Sequence, residues 1–97
     1  MVAFYFGAHD IRDPKKFDHY LEQVVPMIER YGGRYLTKGN AHEVLEGDWH
    51  PERAVVIQFP DMASLKGWYN SPEYQPLIAL RQSAAKDVMI ALEGCDP

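Results

Sequence analysis

Tyr31-Gly32-Gly33-Arg34-Tyr35-Leu36-Thr37-Lys38-Gly39, then Glu43-Val44-Leu45-Glu46-Gly47-Asp48-Trp49, then Arg53-Ala54-Val55-Val56-Ile57-Gln58-Phe59-Pro60-Asp61: this stretch decides the fold. The glycine pair ends a helix, because glycine takes the left-handed cap conformation without a Cβ penalty. Arg34 to Lys38 reads as a strand. Gly39-Asn40 reads as a bulge or turn, with Glu43 to Glu46 continuing the strand, and Gly47 to Glu52 as a polar loop. Arg53 to Phe59 reads as a strand apolar on both faces, closed by Pro60. Helix, strand, loop and buried strand in this order belong to an alternating α+β domain.

Outward from there the remaining elements follow. Val2 to His9 is a strand with two non-polar faces, which places it centrally in a sheet. Asp13-Pro14 starts a helix, and Phe17, Leu21, Val24, Ile28 and Tyr31 form its apolar stripe. Pro26 lies inside it and is expected to kink it. Asp61 caps a short helix through Tyr69, Ser71-Pro72 caps a further helix, and Asp87 to Glu93 is the last strand. The order is βαββαβ, a ferredoxin-like fold: an antiparallel four-stranded sheet with the helices on one face. Residues 1–97 form one domain, without repeat, low-complexity segment or linker.

Both sheet faces need cover. The larger apolar set, Phe4, Phe6, Val55, Ile57, Phe59, Val88, Ile90 and Leu92, is expected under the helices. The other set, Ala3, Tyr5, Gly7, His9, Ala54, Val56, Gln58, Met89, Ala91 and Glu93, is expected to face a second copy of the chain. A homodimer through the open sheet face follows.

The totals exclude several classes. With 97 residues and a formal charge of −4, and without any run of Lys or Arg, the chain is unsuited to nucleic acid. No apolar stretch reaches the roughly 20 residues of a membrane span. The single cysteine, Cys95, cannot form an internal disulfide, and Val2-Ala3-Phe4-Tyr5-Phe6 begins as a strand without an export signal. These features predict a cytoplasmic protein.

The four segments Tyr31–Gly39, Glu43–Trp49, Arg53–Asp61 and Trp68-Tyr69-Asn70-Ser71-Pro72-Glu73-Tyr74 resemble domain-of-unknown-function family thirteen-thirty, within the dimeric α/β-barrel superfamily. The resemblance covers nearly the whole chain. It implies a ferredoxin-like fold and a dimer, and it implies no particular activity. Superfamily relatives include cofactor-free monooxygenases, isomerases, haem-dependent enzymes and ligand-sensing domains, so fold analogy alone does not assign a function.

Candidate chemistry centres on a polar-aromatic set. Arg34, Arg53 and Arg81 offer guanidinium groups that grip carboxylates in pairs of hydrogen bonds. Tyr5, Trp49, Trp68 and Tyr74 offer rings that hold a flat ligand. The bland alternative is that the aromatics pin the break between two helices. His9 is the acid–base candidate, with Tyr69 beside it as a proton-handling phenol. The competing reading of His9 is a strand-end histidine touching the dimer partner. His9, His19, His42 and His50 lack metal-ligand spacing, so no metal is expected, and neither a phosphate-binding loop nor a nucleophile motif is present. Glu43, Glu46 and Asp48 read as a solvated edge.

The expectation is therefore a small-molecule-binding protein without cofactor. In its enzymatic form it resembles a cofactor-free monooxygenase or isomerase acting on a small aromatic or carboxylate-bearing compound. The alternative is a non-catalytic ligand-sensing or homodimeric assembly module.

Overall fold

In a computed structural model, which describes residues 1–95, the elements run β1 (Ala3–Ile11), α1 (Pro14–Arg30), β2 (Arg34–Lys38), β3 (Arg53–Phe59), α2 (Met62–Tyr69), α3 (Gln75–Ala84) and β4 (Ala85–Glu93). The sheet has four strands in the order β2-β3-β1-β4, with every neighbouring pair antiparallel. This is the ferredoxin-like arrangement, with β1 and β3 in the middle. No helix is long and apolar enough to cross a membrane among the described residues.

The local signals act as the residues dictate. Asp13 accepts the Lys16 backbone N–H at 3.1 Å and caps α1. At the other end Gly32 takes φ +83°, its N–H donates to Glu29 O at 3.0 Å, and Gly33 N–H donates to Ile28 O at 2.9 Å. This pair of bonds is a Schellman cap, and it aims the chain directly into β2. A Cβ on Gly33 would lie 2.4 Å from Ile28 Cγ2, so close approach requires glycine there. Asp61 caps α2 through Ser64 N–H at 2.7 Å.

Helix α1 contains Pro26 on its exposed side. Three expectations are corrected. The irregularity of β2 falls between Tyr35 and Thr37, so Gly39-Asn40 is not the bulge, and Glu43 to Glu46 form no strand. Asn40 instead folds back, accepting from Lys38 N–H at 3.2 Å, and this local bond competes with further pairing. Ser71 caps no α-helix: its hydroxyl accepts from Tyr74 N–H at 3.2 Å within a turn, and α3 begins only at Gln75. The last strand starts at Ala85, two residues before the expected Asp87.

The faces of β1 and β4 are also the reverse of the expectation. Ala3, Tyr5, Gly7 and His9 are buried toward the helices, joined by Val55, Ile57 and Phe59 of β3. The register sets Tyr5 opposite Ala91 and Gly7 opposite Met89 on that side. Phe4 and Phe6 lie on the open face with Val56, and Val88, Ile90 and Leu92 there remain 48%, 48% and 47% exposed. The reason is volume. The helices bring Phe17, Tyr20, Trp68 and Tyr74 to the shared core, and close packing then requires small partners such as Ala3 and Gly7 on the central strand. The phenylalanines are displaced to the other side.

Candidate functional site

Strand alternation delivers the site. Tyr5, Gly7 and His9 are successive inward positions of β1, and Ala91, Met89 and Asp87 pair with them on β4. The Tyr5 hydroxyl donates to Met89 Sδ at 2.8 Å. His9 Nδ1 lies 2.6 Å from Asp87 Oδ1, and Arg81 Nη1 of α3 donates to Asp87 Oδ2 at 2.8 Å. Both partners of each pair are almost fully buried. A carboxylate only accepts, so the Asp87 contact fixes the His9 proton on Nδ1 and leaves Nε2 with its lone pair.

Burial pushes the His9 pKa below its ordinary value. The Asp87 hydrogen bond and charge oppose this, while Arg53 and Arg81 reinforce it. Asp87 already balances one guanidinium and cannot hold a second full positive charge. His9 is therefore neutral at pH 7. Burial raises the pKa of Tyr5, Tyr20 and Tyr74, and pushes Tyr35 up to about 12, so all four remain neutral phenols. The Tyr20 and Tyr74 hydroxyls share a buried hydrogen bond at 2.7 Å.

An aromatic layer backs this polar group. Trp68 contacts Tyr5 edge-on at 5.1 Å between centroids, stacks on Phe59 at 5.5 Å and meets Tyr74 at 4.4 Å. Tyr69 packs against Trp68 and Tyr74 and reaches the surface. Two clefts open on its sides. One, of about 340 Å³, is mostly apolar and lies between α2 and β4, lined by Tyr5, Leu65, Tyr69, Met89 and Ala91 among others. The second, of about 500 Å³, is polar and lies between α3 and β4, lined by Arg12, Tyr69, Arg81, Lys86, Asp87 and Met89 among others.

Six of the residues singled out from the sequence thus come together: Tyr5, His9, Trp68, Tyr69, Tyr74 and Arg81. Three lie elsewhere. Arg34 is exposed at the start of the edge strand β2. Trp49 is on the open face, edge-on to Phe6 at 6.1 Å. Arg53 lies on the other side of His9 beneath Gly39, lining a separate cleft of about 220 Å³ with Tyr35 and Lys38. His9 itself sits behind Asp87 against Phe17, whereas Asp87 and Tyr69 reach the polar cleft wall. Asp87, Met89 and Tyr20 are not among the site residues expected from the sequence. The available signal was Asp87, a carboxylate in the same alternating set as Met89 and Ala91, six residues after an arginine on the preceding helix. Among the described residues no group of three or more His, Cys, Asp or Glu side chains could hold a metal ion.

Residues 2–95 match the family model described as a domain of unknown function, DUF1330. The chain belongs to this family. No curated protein matches this DUF1330 chain significantly. Its fold is shared with RPA0582, a protein of unknown function from Rhodopseudomonas palustris, at a TM-score of 0.81 and 20% identity over 99% of this chain and 84% of that one. A dimeric ferredoxin-like protein of unknown function from Jannaschia sp. CCS1 superposes with a TM-score of 0.67 at 12% identity, covering 97% of this chain and all of that one (100%). SnoaB, a cofactor-independent oxygenase from Streptomyces nogalater, superposes with a TM-score of 0.64 at 9% identity, covering 99% and 95%. At these identities the likeness is one of fold.

Proposed function

We propose that this DUF1330 protein binds a small aromatic or carboxylate-bearing compound in the groove along the helix side of β4. The observation that carries this reading is Arg81. It is 2% exposed, lines the polar cleft, and leaves Nε and Nη2 without hydrogen-bond partners. Buried polar groups in native proteins are nearly always satisfied, so a buried guanidinium with unsatisfied N–H groups at the wall of a cleft marks that wall as the place for a ligand. In its enzymatic form the proposal is cofactor-free proton transfer. Tyr69, on the wall of both clefts, is the group in reach of a ligand, and His9 acts through Asp87 as a positioning residue. The fold shared with SnoaB supports that form by analogy alone.

The test is a native mass spectrum beside a denaturing one, followed by titration with 2-naphthol as a neutral aromatic probe. The proposal expects an adduct lost on denaturation, and probe-induced NMR shifts at Leu65, Tyr69, Met89 and Ala91. Ala91→Trp, which fills the apolar cleft, should remove both. A wild-type protein that keeps no adduct and shows no shift at these residues refutes the proposal.

A second reading, a homodimeric assembly module, is favoured by the open face. Val88, Ile90 and Leu92 are each about half exposed beside Phe4, Phe6 and Val56. Covering such half-exposed side chains is worth about 1 kcal/mol apiece, on each copy of a symmetric pair. The two readings are compatible, because the groove lies on the opposite side of the sheet. We propose the dimer together with the binding site.

A further inference from the structure

We infer that the ligand is a single amphipathic anion, with a carboxylate at the α3 end of the groove and a flat apolar body at the α2 end. This rests on the binding reading above and deepens it.

The two clefts are parts of one groove, because Tyr69 and Met89 line both. Their chemistry differs sharply. The α3 end carries Arg12, Arg81 and Lys86 against one carboxylate, Asp87. That carboxylate is already spent, with one oxygen on His9 and the other on Arg81. The end is therefore cationic, in a chain whose formal charge is −4. A basic patch on an acidic protein is a local feature and not background.

Arg81 sets the charge of this end from within the core. Nη1 is engaged with Asp87, and the atoms left over are Nε and Nη2. Those two N–H groups lie on one edge of the planar guanidinium and point in parallel. Both atoms are buried, so this edge gives the α3 end positive potential from beneath, and the exposed Arg12 and Lys86 are the groups that reach an anion's oxygens. The Tyr74 hydroxyl, bonded to Tyr20 at 2.7 Å, lies against the guanidinium on its buried side.

The α2 end is mostly apolar, with the exposed Lys66 and Asn70 at its rim. Tyr5, Leu65, Met89 and Ala91 present ring, aliphatic and thioether surface, and Tyr5 already donates its hydroxyl to Met89. A volume of about 340 Å³ is ample for one or two fused rings. Tyr69, between the two ends, is then placed where the carboxylate joins the apolar body.

The probes are 2-naphthoate and its neutral counterpart 2-naphthamide, titrated by calorimetry and by NMR at pH 7.5 against the full chain. The inference expects the acid to bind at least ten times more tightly than the amide. The preference should fall several-fold in Arg12→Gln/Lys86→Gln, where both altered side chains are exposed and folding is safe. It should vanish in Arg81→Gln, with the NMR spectrum showing that this variant is folded. Equal binding of acid and amide in the groove overturns the anionic reading and leaves the binding site standing. A preference unchanged in the double variant and in folded Arg81→Gln overturns it too. If neither probe shifts groove residues, this inference and the proposed site both fail.

Discussion

Replacing Asp87 by asparagine removes the one negative charge held between His9 Nδ1 at 2.6 Å and Arg81 Nη1 at 2.8 Å. At 2.8 Å and an effective dielectric of roughly 20, the Arg81–Asp87 attraction is about 6 kcal/mol before desolvation is subtracted. Breaking one side of a buried pair costs about 3–5 kcal/mol, because the surviving charge is left uncompensated. In a domain of this size each kcal/mol lowers Tm by about 4–8 °C, so Asp87→Asn should lose at least about 12 °C in a thermal melt followed by circular dichroism. The sharper expectation concerns Arg81→Met added to Asp87→Asn. It removes the stranded cation together with its two unpaired N–H groups, each costing about 1–3 kcal/mol. The double variant should therefore be more stable than Asp87→Asn alone, although it carries more substitutions. A loss below about 1 kcal/mol for Asp87→Asn, or a double variant less stable than the single, would show that charge compensation does not organise this core.

Further expectations are narrower. His9 has a lowered folded-state pKa, so below its unfolded pKa of about 6.5 the unfolded chain binds the extra proton; its contribution to stability is complete above that pH and is lost as pH falls through the folded value. Urea melts from pH 7.5 to 5 should show this decline, and His9→Gln should flatten it; an identical slope in the variant assigns the decline elsewhere. Ile90→Asp, on the half-exposed open face, should convert a dimer into a folded monomer in sedimentation runs, whereas Tyr5→Asp, buried toward the helices, should unfold the chain. A dimer that survives Ile90→Asp removes the open face as its interface. Gly33→Ala should cost about 1–3 kcal/mol by denaturant titration, since its Cβ would stand 2.4 Å from Ile28 Cγ2 and 2.9 Å from Phe59; a neutral result would mean that the α1–β2 corner yields easily.

The element order was legible because the punctuation is local. Asp13-Pro14, Gly32-Gly33 and Pro60-Asp61 each act on the backbone beside them, and the structure uses all three. Facing was less legible. Both alternating sets of β1 are apolar, and the choice between them depends on how much volume the helices supply from far along the chain. In the site, Tyr5, Trp68, Tyr74 and Arg81 could be grouped because aromatic and guanidinium groups near one helix break suggest a cleft. Arg34 and Trp49 shared that chemistry without sharing the place, because Arg34 starts the exposed edge strand and Trp49 lies against Phe6 on the open face. Asp87 was hidden for a different reason. Its role depends on pairing with His9 across 78 positions of sequence, which no local pattern records.

Arg53, His9 and Asp87 occupy directly paired positions on β3, β1 and β4. They form one rung of the sheet, running cation, neutral ring, anion over roughly 10 Å at the usual strand spacing. Backbone pairing holds the three at set distances whatever their side chains are. A change of charge at one of them therefore cannot be absorbed by a shift of its own strand, and must be answered on the same rung or by Arg81 above it. Across the family these positions should vary as a set, with a protein lacking the carboxylate at position 87 also lacking the guanidinium at position 81. In this way a register written into hydrogen bonds becomes a rule of inheritance for side chains that are strangers in sequence.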